Sequence, residues 1–340
     1  MSRRRQRLLK RLLKRTYNSI LSQPSSPKKI VALTGSTGFV GGALIDRLIE
    51  AGYDVRALVR DINKLGDRRS KVEAVVGGLQ NHDALDELAR GAAYFVHCAG
   101  VTIARHDEDY HQVNVVGAES AARAAAKADA RFIHISSMSA QRPEVSPYAR
   151  SKFESESVVR HASGENPAIV LRGPAIYGPE DPVTLPFFKL VGSGVAAEPA
   201  TKTPARASIL YIDDMADAIV TVLTEGKSGE VFEVGDGRAN GHEWQEIGAI
   251  AAEVLGVKAR RFRAPRGLLE VYHFVLRSWA RLTGQTPTVR SGQLNEFFHD
   301  DWSAKTNLLS EATSWRPKVD LREGMTKTID WYRQQGWLKP

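Results

Sequence analysis

The sequence predicts an α/β fold, a doubly wound parallel sheet with a smaller, mainly helical C-terminal part. Three observations predict it. Short β-branched runs alternate with helical stretches from residue 30 onward, a glycine-spaced turn joins the first run to the first helix, and polar residues gather where the runs end. With 340 residues, 42% of them hydrophobic, the chain is long enough for one large α/β domain or for a larger and a smaller one.

Residues 1–29, MSRRRQRLLKRLLKRTYNSILSQPSSPKK, come first. They hold ten of the chain's 47 Lys and Arg and no acid, leaving 37 bases against 39 acids in the rest. The body is not basic, which argues against a nucleic-acid partner. Leu8, Leu9, Leu12 and Leu13 share one helical face, with Arg4, Arg7, Arg11 and Arg15 on others, so residues 1–20 suit a helix lying on an anionic membrane. An inert basic extension and an Arg-rich mitochondrial targeting peptide fit the same composition. A secretory signal does not, for want of a longer apolar run and a small-residue cleavage site. QPSSPKK reads as a linker.

Next, IVALTG, DVRALV, VEAVVG, YFVHCAG, RFIHISS and AIVLRG predict successive strands, and stretches starting near 39, 82, 112, 148 and 213 predict helices. Residues 30–180 are expected to form the core, and 181–340 a substrate-binding part interleaved with its end. No window approaches about 18 uninterrupted apolar residues, so no spanning helix is expected. The single cysteine, Cys98 in FVHCAG, makes a disulfide framework impossible and fits a reducing, cytoplasmic compartment. It reads as a small buried residue at a strand end. No metal site is predicted.

Ligands of such a sheet bind beyond the carboxyl ends of its strands. Gly35, Gly100, Ser137 and the segment GPAIYGP sit at those ends and converge on one crevice. TGSTGFVGG spaces Gly35, Gly38 and Gly41 as G-x-x-G-x-x-G. The backbone from Gly35 through Ser36, Thr37, Gly38, Phe39 and Val40 to Gly41 would meet a pyrophosphate at the positive end of a helix, as in a Rossmann-type dinucleotide site. About 20 residues further on, LVRDINK offers Arg60 and Lys64 to a ribose phosphate, which favours NADP(H). Asp61 stands next to Arg60, and a shift of one residue in register would favour NAD(H) instead.

In SPYARSKFE, Tyr148 and Lys152 are four apart and share a helical face. A free phenol titrates near pH ~10, and a neighbouring ammonium favours its ionised form. Tyr148 thereby becomes an acid or base usable near neutrality. HISSMSA offers Ser136, Ser137 and Ser139 to polarise a carbonyl.

With these pieces in hand, the chain resembles the short-chain dehydrogenase/reductase superfamily, on its extended or atypical side, over residues 30 to 335. The matching motifs are TGSTGFVG, HCAG, NVVGAES, HISSMSA, YARSK, LRGPAIYGP, LYIDDMADAI and SWRPKVDLREGMTKTIDWYRQQGW. The C-terminal half is similar to bacterial 3β-hydroxysteroid-dehydrogenase and epimerase/dehydratase relatives. The resemblance implies interconversion of a ketone and a secondary alcohol, with hydride from NADPH and a proton from Tyr148. It implies that Lys152 binds the nicotinamide ribose, that Ser137 polarises the carbonyl, with Ser136 or Ser139 in its place if the register slips, and that Asn114 in HQVNVVG helps hold a proton-relay water. Leu79, Ala99, Gly100, Pro174 and Ile176 are the further cofactor contacts it implies, and a homodimer through a four-helix interface is common among such proteins. Two departures stand out: Gly78 occupies the place of an acid that often holds the adenine, and only eleven positions separate Ser137 from Tyr148, fewer than in many nucleotide-sugar enzymes.

The stretch KARRFRAPRGLLEVYHFVLRSWARL gathers Leu268, Leu269, Val271, Tyr272, Phe274, Val275, Leu276 and Trp279. It reads either as a buried helix or as a lid admitting a lipid-like substrate. Joined with the basic tail, the lid reading predicts a small-molecule hydrophobic ketone at the inner face of a membrane: a steroid-like compound or a 3-oxo lipid such as a sphingolipid precursor. Two other classes compete. A nucleotide-sugar epimerase or dehydratase would hold NAD tightly with no net turnover. A non-catalytic NADPH-binding accessory subunit, like one of mitochondrial complex I, would need neither Tyr148 nor Lys152.

Overall fold

Strand β1 (Ile30–Thr34) is apolar up to Thr34, and from Val31 on it is fully buried, as a strand covered on both faces must be. The computed structural model describes residues 28–104, 106–271, 274, 278 and 292–339. The amphipathic tail expected over 1–20 lies outside the described residues, as do Tyr272, Val275, Leu276 and Trp279.

Seven strands form one parallel sheet. After β1 come β2 (Asp54–Val59), β3 (Glu73–Val76), β4 (Tyr94–His97), β5 (Arg131–Ser137), β6 (Ile169–Gly173) and β7 (Val231–Glu233). Their spatial order is β7-β6-β5-β4-β1-β2-β3, so the winding reverses between β1 and β4. Beyond the carboxyl ends of those two strands the connections leave in opposite directions and open a crevice.

Helices cover both faces. On one side α1 (Phe39–Glu50) and α6 (Ile212–Glu225) bring Leu44, Ile45, Leu48, Ile219 and Val222 onto the strands. On the other, α2 (His82–Ala89), α3 (Gly117–Lys127) and α4 (Pro147–Ala162) contribute Leu85, Leu88, Ala121, Ala125 and Val159. The alanines of α3 keep its inner face small, which lets its backbone approach the sheet closely.

A third core holds the remainder together. In it α5 (Leu185–Gly192), α7 (Trp244–Leu255) and α8 (Leu321–Gln334) bury Phe188, Val191, Ile247, Ala251, Met325, Ile329 and Tyr332. Three small sheets accompany it, separate from the large one: Ala175–Tyr177 with Ile209–Tyr211, Val195–Pro199 with Arg260–Ala264, and Arg206–Ala207 between His242–Glu243 and Asp301–Trp302. The chain leaves the sheet after β6 and returns for β7 before completing this part.

Helical residues 266–271 and 274 depart from the buried-helix reading. Leu268, Val271 and Phe274 are 53%, 64% and 71% exposed, and their three-residue spacing sets them along one face. Segment 292–298 then docks on the start of α4: Asn295 donates to the Val145 carbonyl at 3.0 Å, and Ser146 hydrogen-bonds Glu296.

Candidate active site

The turn between β1 and α1 is built for close approach. Gly35 has φ +73°, and a Cβ on it would lie 2.6 Å from the Ala99 nitrogen. A Cβ on Gly41 would lie 2.1 Å from the Gly35 carbonyl oxygen. Both positions therefore require glycine. Thr37 and Gly38 are exposed, and Gly38 opens α1 without a side-chain cap. The first N–H groups of α1, on Phe39, Val40 and Gly41, thus face the crevice mouth with the helix dipole behind them, a fit for a diphosphate. Ser36 is buried and donates to the Leu58 carbonyl at 3.0 Å, tying the turn to β2 and leaving its backbone to serve a ligand.

At the end of β2 the two rival residues part company. Asp61 accepts from the Asn63 N–H at 3.0 Å and caps the turn that follows. Arg60 and Lys64 are exposed. Leu79, beyond β3, packs on α3, where a Cβ on Gly117 would lie 2.6 Å from its Cδ1. Beside it, Gly78, Gln80, Asn81, His82 and Asp83 line an open polar hollow.

The far wall comes from β4, β5 and α4. Ala99 donates to Thr34 Oγ1 at 3.4 Å, and a Cβ on Gly100 would lie 3.2 Å from Asn114 Oδ1, so both backbones lie against β1 and the helix before α3. Asn114 is buried in a π-helical turn, His111–Val116. Its Oδ1 accepts from the Val101 N–H at 2.8 Å, and its Nδ2 donates to the Val101 carbonyl at 3.1 Å and to Ser151 Oγ at 2.9 Å. Pro174 and Ile176 follow β6, with Ile176 half-buried between two of the cores.

Helix α4 begins where its sequence says it should, with Ser146 accepting from the Ala149 N–H at 2.9 Å and Pro147 in the first turn. This start places Tyr148 half-buried, its ring edge-on to Tyr110 at 6.1 Å between centroids. One turn on, Lys152 is buried and donates to the Ile135 carbonyl at 2.7 Å. Burial pulls the Lys152 ammonium down to about 8, against the opposing pull of Glu156 and, more weakly, Cys98.

The three serines separate cleanly. Ser136 points into the protein and donates to Glu156 at 2.6 Å. Ser137 and Ser139 are half-buried, their hydroxyls 3.2 Å apart, with Ser137 Oγ also accepting from the Ser139 N–H. Ser137 thus stands at the carboxyl end of β5.

Sequence reasoning missed the layer beneath. Arg172 on β6 holds both Glu156 oxygens, at 2.9 and 2.8 Å. His97 and His134 face each other in register on β4 and β5, with ring centroids 5.5 Å apart. His97 bonds Thr34 Oγ1 at 2.8 Å and His134 bonds Ser155 Oγ at 2.9 Å. Burial holds the His97 imidazole down to about 3, His134 well below its usual range, and pushes the Cys98 thiol up to about 12. All three are neutral near pH 7. The i, i+4, i+8 spacing of Tyr148, Lys152 and Glu156 was the available signal for Glu156. Among the described residues no group of three or more His, Cys, Asp or Glu is arranged to hold a metal ion, and no helix is long and apolar enough to cross a membrane.

Comparison with known proteins adds a family match, two relatives and two solved structures. Residues 31–235 match the family described as NAD dependent epimerase/dehydratase. A ceramide reductase of Caulobacter vibrioides is 38% identical over 310 residues, covering 91% of this chain and 96% of that protein. A UDP-glucose 4-epimerase of Vibrio cholerae is 27% identical over 91% of this chain and 96% of its own length. Among solved structures, a UDP-glucose 4-epimerase of Thermotoga maritima with UDP-glucose superposes with a TM-score of 0.69 at 19% identity, over 90% of this chain and 99% of that one. A UDP-glucuronic acid 4-epimerase of Bacillus cereus with UDP-glucuronic acid and NAD gives 0.68 at 20% identity, again over 90% and 99%. At such identities the likeness carries the fold.

Proposed function

The chain belongs to the NAD-dependent epimerase/dehydratase family, and we propose that within it the protein is a reductase that turns a ketone on a hydrophobic substrate, a 3-oxo lipid of the sphingolipid-precursor kind, into a secondary alcohol. The enzyme class, an NAD(P)-dependent oxidoreductase, follows from the family and its reductase-named members. The observation that carries the finer reading is the common face of Tyr148 and Lys152 on α4, set against Ser137 at the end of β5.

When bound, a reduced nicotinamide dinucleotide supplies the hydride. The protein's own groups do the rest. Gly35, Gly38 and Gly41 leave room for the diphosphate, and the first N–H groups of α1 bind it. Ser137 donates to the ketone oxygen and Tyr148 delivers the proton that oxygen needs as it becomes a hydroxyl. Lys152 stabilises the phenolate left behind and binds the nicotinamide ribose. Asn114, tied to Val101 and Ser151, holds the π-helical turn beside this machinery. NADP(H) is the reading favoured by Asp61 being spent on its own turn while Arg60, next to it after β2, is exposed.

Two observations favour a lipid substrate: the ceramide reductase name of a relative 38% identical to this chain, and the exposed face of Leu268, Val271 and Phe274. Residues 1–20 would hold the enzyme at the membrane where such a ketone resides. The epimerase-named relatives support a second reading, reversible sugar oxidation on retained NAD with no net cofactor consumption.

The test is a substrate panel: purified enzyme with NADPH and, separately, 3-oxo lipids including 3-oxoceramide, sterones, and UDP- and dTDP-sugars. Stoichiometric NADPH oxidation with a 3-oxo lipid is the expected result. Turnover of the sugars alone removes the lipid reading.

A further inference from the structure

Beyond the carboxyl end of β3, Gly78, Gln80, Asn81, His82 and Asp83 line an open hollow of about 570 Å³. The order of the sheet decides what it can receive. β1 leads into the glycine turn, β2 beside it ends next to Arg60, and β3 is the edge strand beyond. Neighbouring strands stand about 4.8 Å apart, which sets the hollow about 10 Å outward from the turn. A dinucleotide whose diphosphate lies on the turn and whose adenosine ribose lies at β2 brings its base to this place.

The polar groups around the hollow are not equally free to meet it. The turn is closed by the Asn81 N–H donating to the Gly78 carbonyl at 3.0 Å. Asn81 also spends its side-chain oxygen on the Ala84 N–H at 3.0 Å, capping α2, and His82 and Asp83 belong to that helix's first turn. Gln80 is exposed and has no hydrogen-bond partner among the described residues. Its Oε1 stands 3.6 Å from where a Cβ on Gly78 would be. Apart from chain neighbours, no other atom of the described residues comes within 4 Å of that point. The amide of Gln80 therefore stands over the space that a side chain at 78 would enter.

A carboxamide carries an acceptor and a donor side by side. Adenine offers the complementary pair, its 6-amino donor next to the N1 acceptor. Turned over about its last bond, the same amide matches a 6-oxopurine, whose O6 accepts and whose N1–H donates. We propose that Gln80 binds the 6-position edge of the dinucleotide's purine, and that its amide makes the site accept a 6-oxopurine dinucleotide as well as the adenine one. A carboxylate only accepts, so in the same place it would favour the amino group and repel the oxo group. This inference rests on the reading that the glycine turn holds a dinucleotide.

The experiment titrates the whole protein, by nicotinamide fluorescence, with NADPH and with its analogue carrying hypoxanthine in place of adenine. NADH and its analogue are run in the same way, and melting temperatures are recorded without ligand. The unaltered protein should bind the two members of a pair within about threefold of each other. Gln80→Ala should weaken both by about 3- to 10-fold and leave their ratio unchanged. Gln80→Glu should move the ratio to about tenfold or more in favour of adenine. All three proteins should melt alike, since Gln80 is exposed and bonds to nothing in the fold. A ratio unmoved in Gln80→Glu, undiminished affinity in Gln80→Ala, or strong discrimination by the unaltered protein overturns the proposal while leaving the dinucleotide site standing. Failure of the unaltered protein to bind any of the four overturns the reading of the glycine turn and this inference with it.

Discussion

Lys152 donates a 2.7 Å hydrogen bond to the carbonyl of Ile135, so the ammonium of α4 is pinned to the strand that ends in Ser137. Two elements that share the site's chemistry thereby share one geometry.

The pH dependence follows from that burial. Desolvation lowers Lys152 to about 8 from its ordinary 10.5, so the ammonium is present below pH 8 and lost above it. We expect kcat/KM for ketone reduction to fall as pH rises past about 8, roughly tenfold per unit. Stability runs the other way: between 8 and 10.5 the unfolded chain binds more protons at this lysine than the folded one, so its contribution to stability rises with pH there. A pH–rate profile set beside urea unfolding at pH 7.5 and 9.5 checks both directions.

Gly41→Ala should disable cofactor binding. The added Cβ would sit 2.1 Å from the Gly35 oxygen, and neither backbone can yield without opening the turn. We expect a loss of stability of about 1–3 kcal/mol and NADPH affinity lower by about tenfold or more. Thermal melting with and without NADPH measures both, and a variant that still gains full stabilisation from the cofactor contradicts this account of the turn.

Arg60→Glu should reverse the cofactor preference. Losing a charge-assisted hydrogen bond of about 1.5–3 kcal/mol corresponds to roughly 10- to 100-fold weaker NADPH binding, while NADH should be little affected. Parallel titrations of both dinucleotides check this. Equal loss for the two would remove Arg60 from the phosphate.

Much of the crevice was legible in the sequence because its requirements are local. The glycine turn needs two backbone positions, Gly35 and Gly41, free of Cβ within one short stretch, and the Tyr148–Lys152 face needs only helical spacing. What escaped depends on neighbours distant along the chain. Ser136 and Ser137 are adjacent and alike, and only the register of β5 against β6, with Arg172 opposite Ser136, determines which turns toward Glu156. His97 and His134 meet because β4 and β5 are in register, which strand patterns do not specify. The π-helical turn around Asn114 has no residue signature, and the docking of 292–298 on α4 joins segments about 150 positions apart.

The central claim, that the Tyr148 hydroxyl gives the proton while the glycine turn holds the cofactor, is tested most directly by Tyr148→Phe, assayed for ketone reduction and for NADPH binding in the same preparation. The account predicts a rate lower by about 10²–10⁴-fold with cofactor affinity and melting temperature near those of the unaltered enzyme. A variant that reduces the ketone at close to the original rate would contradict it.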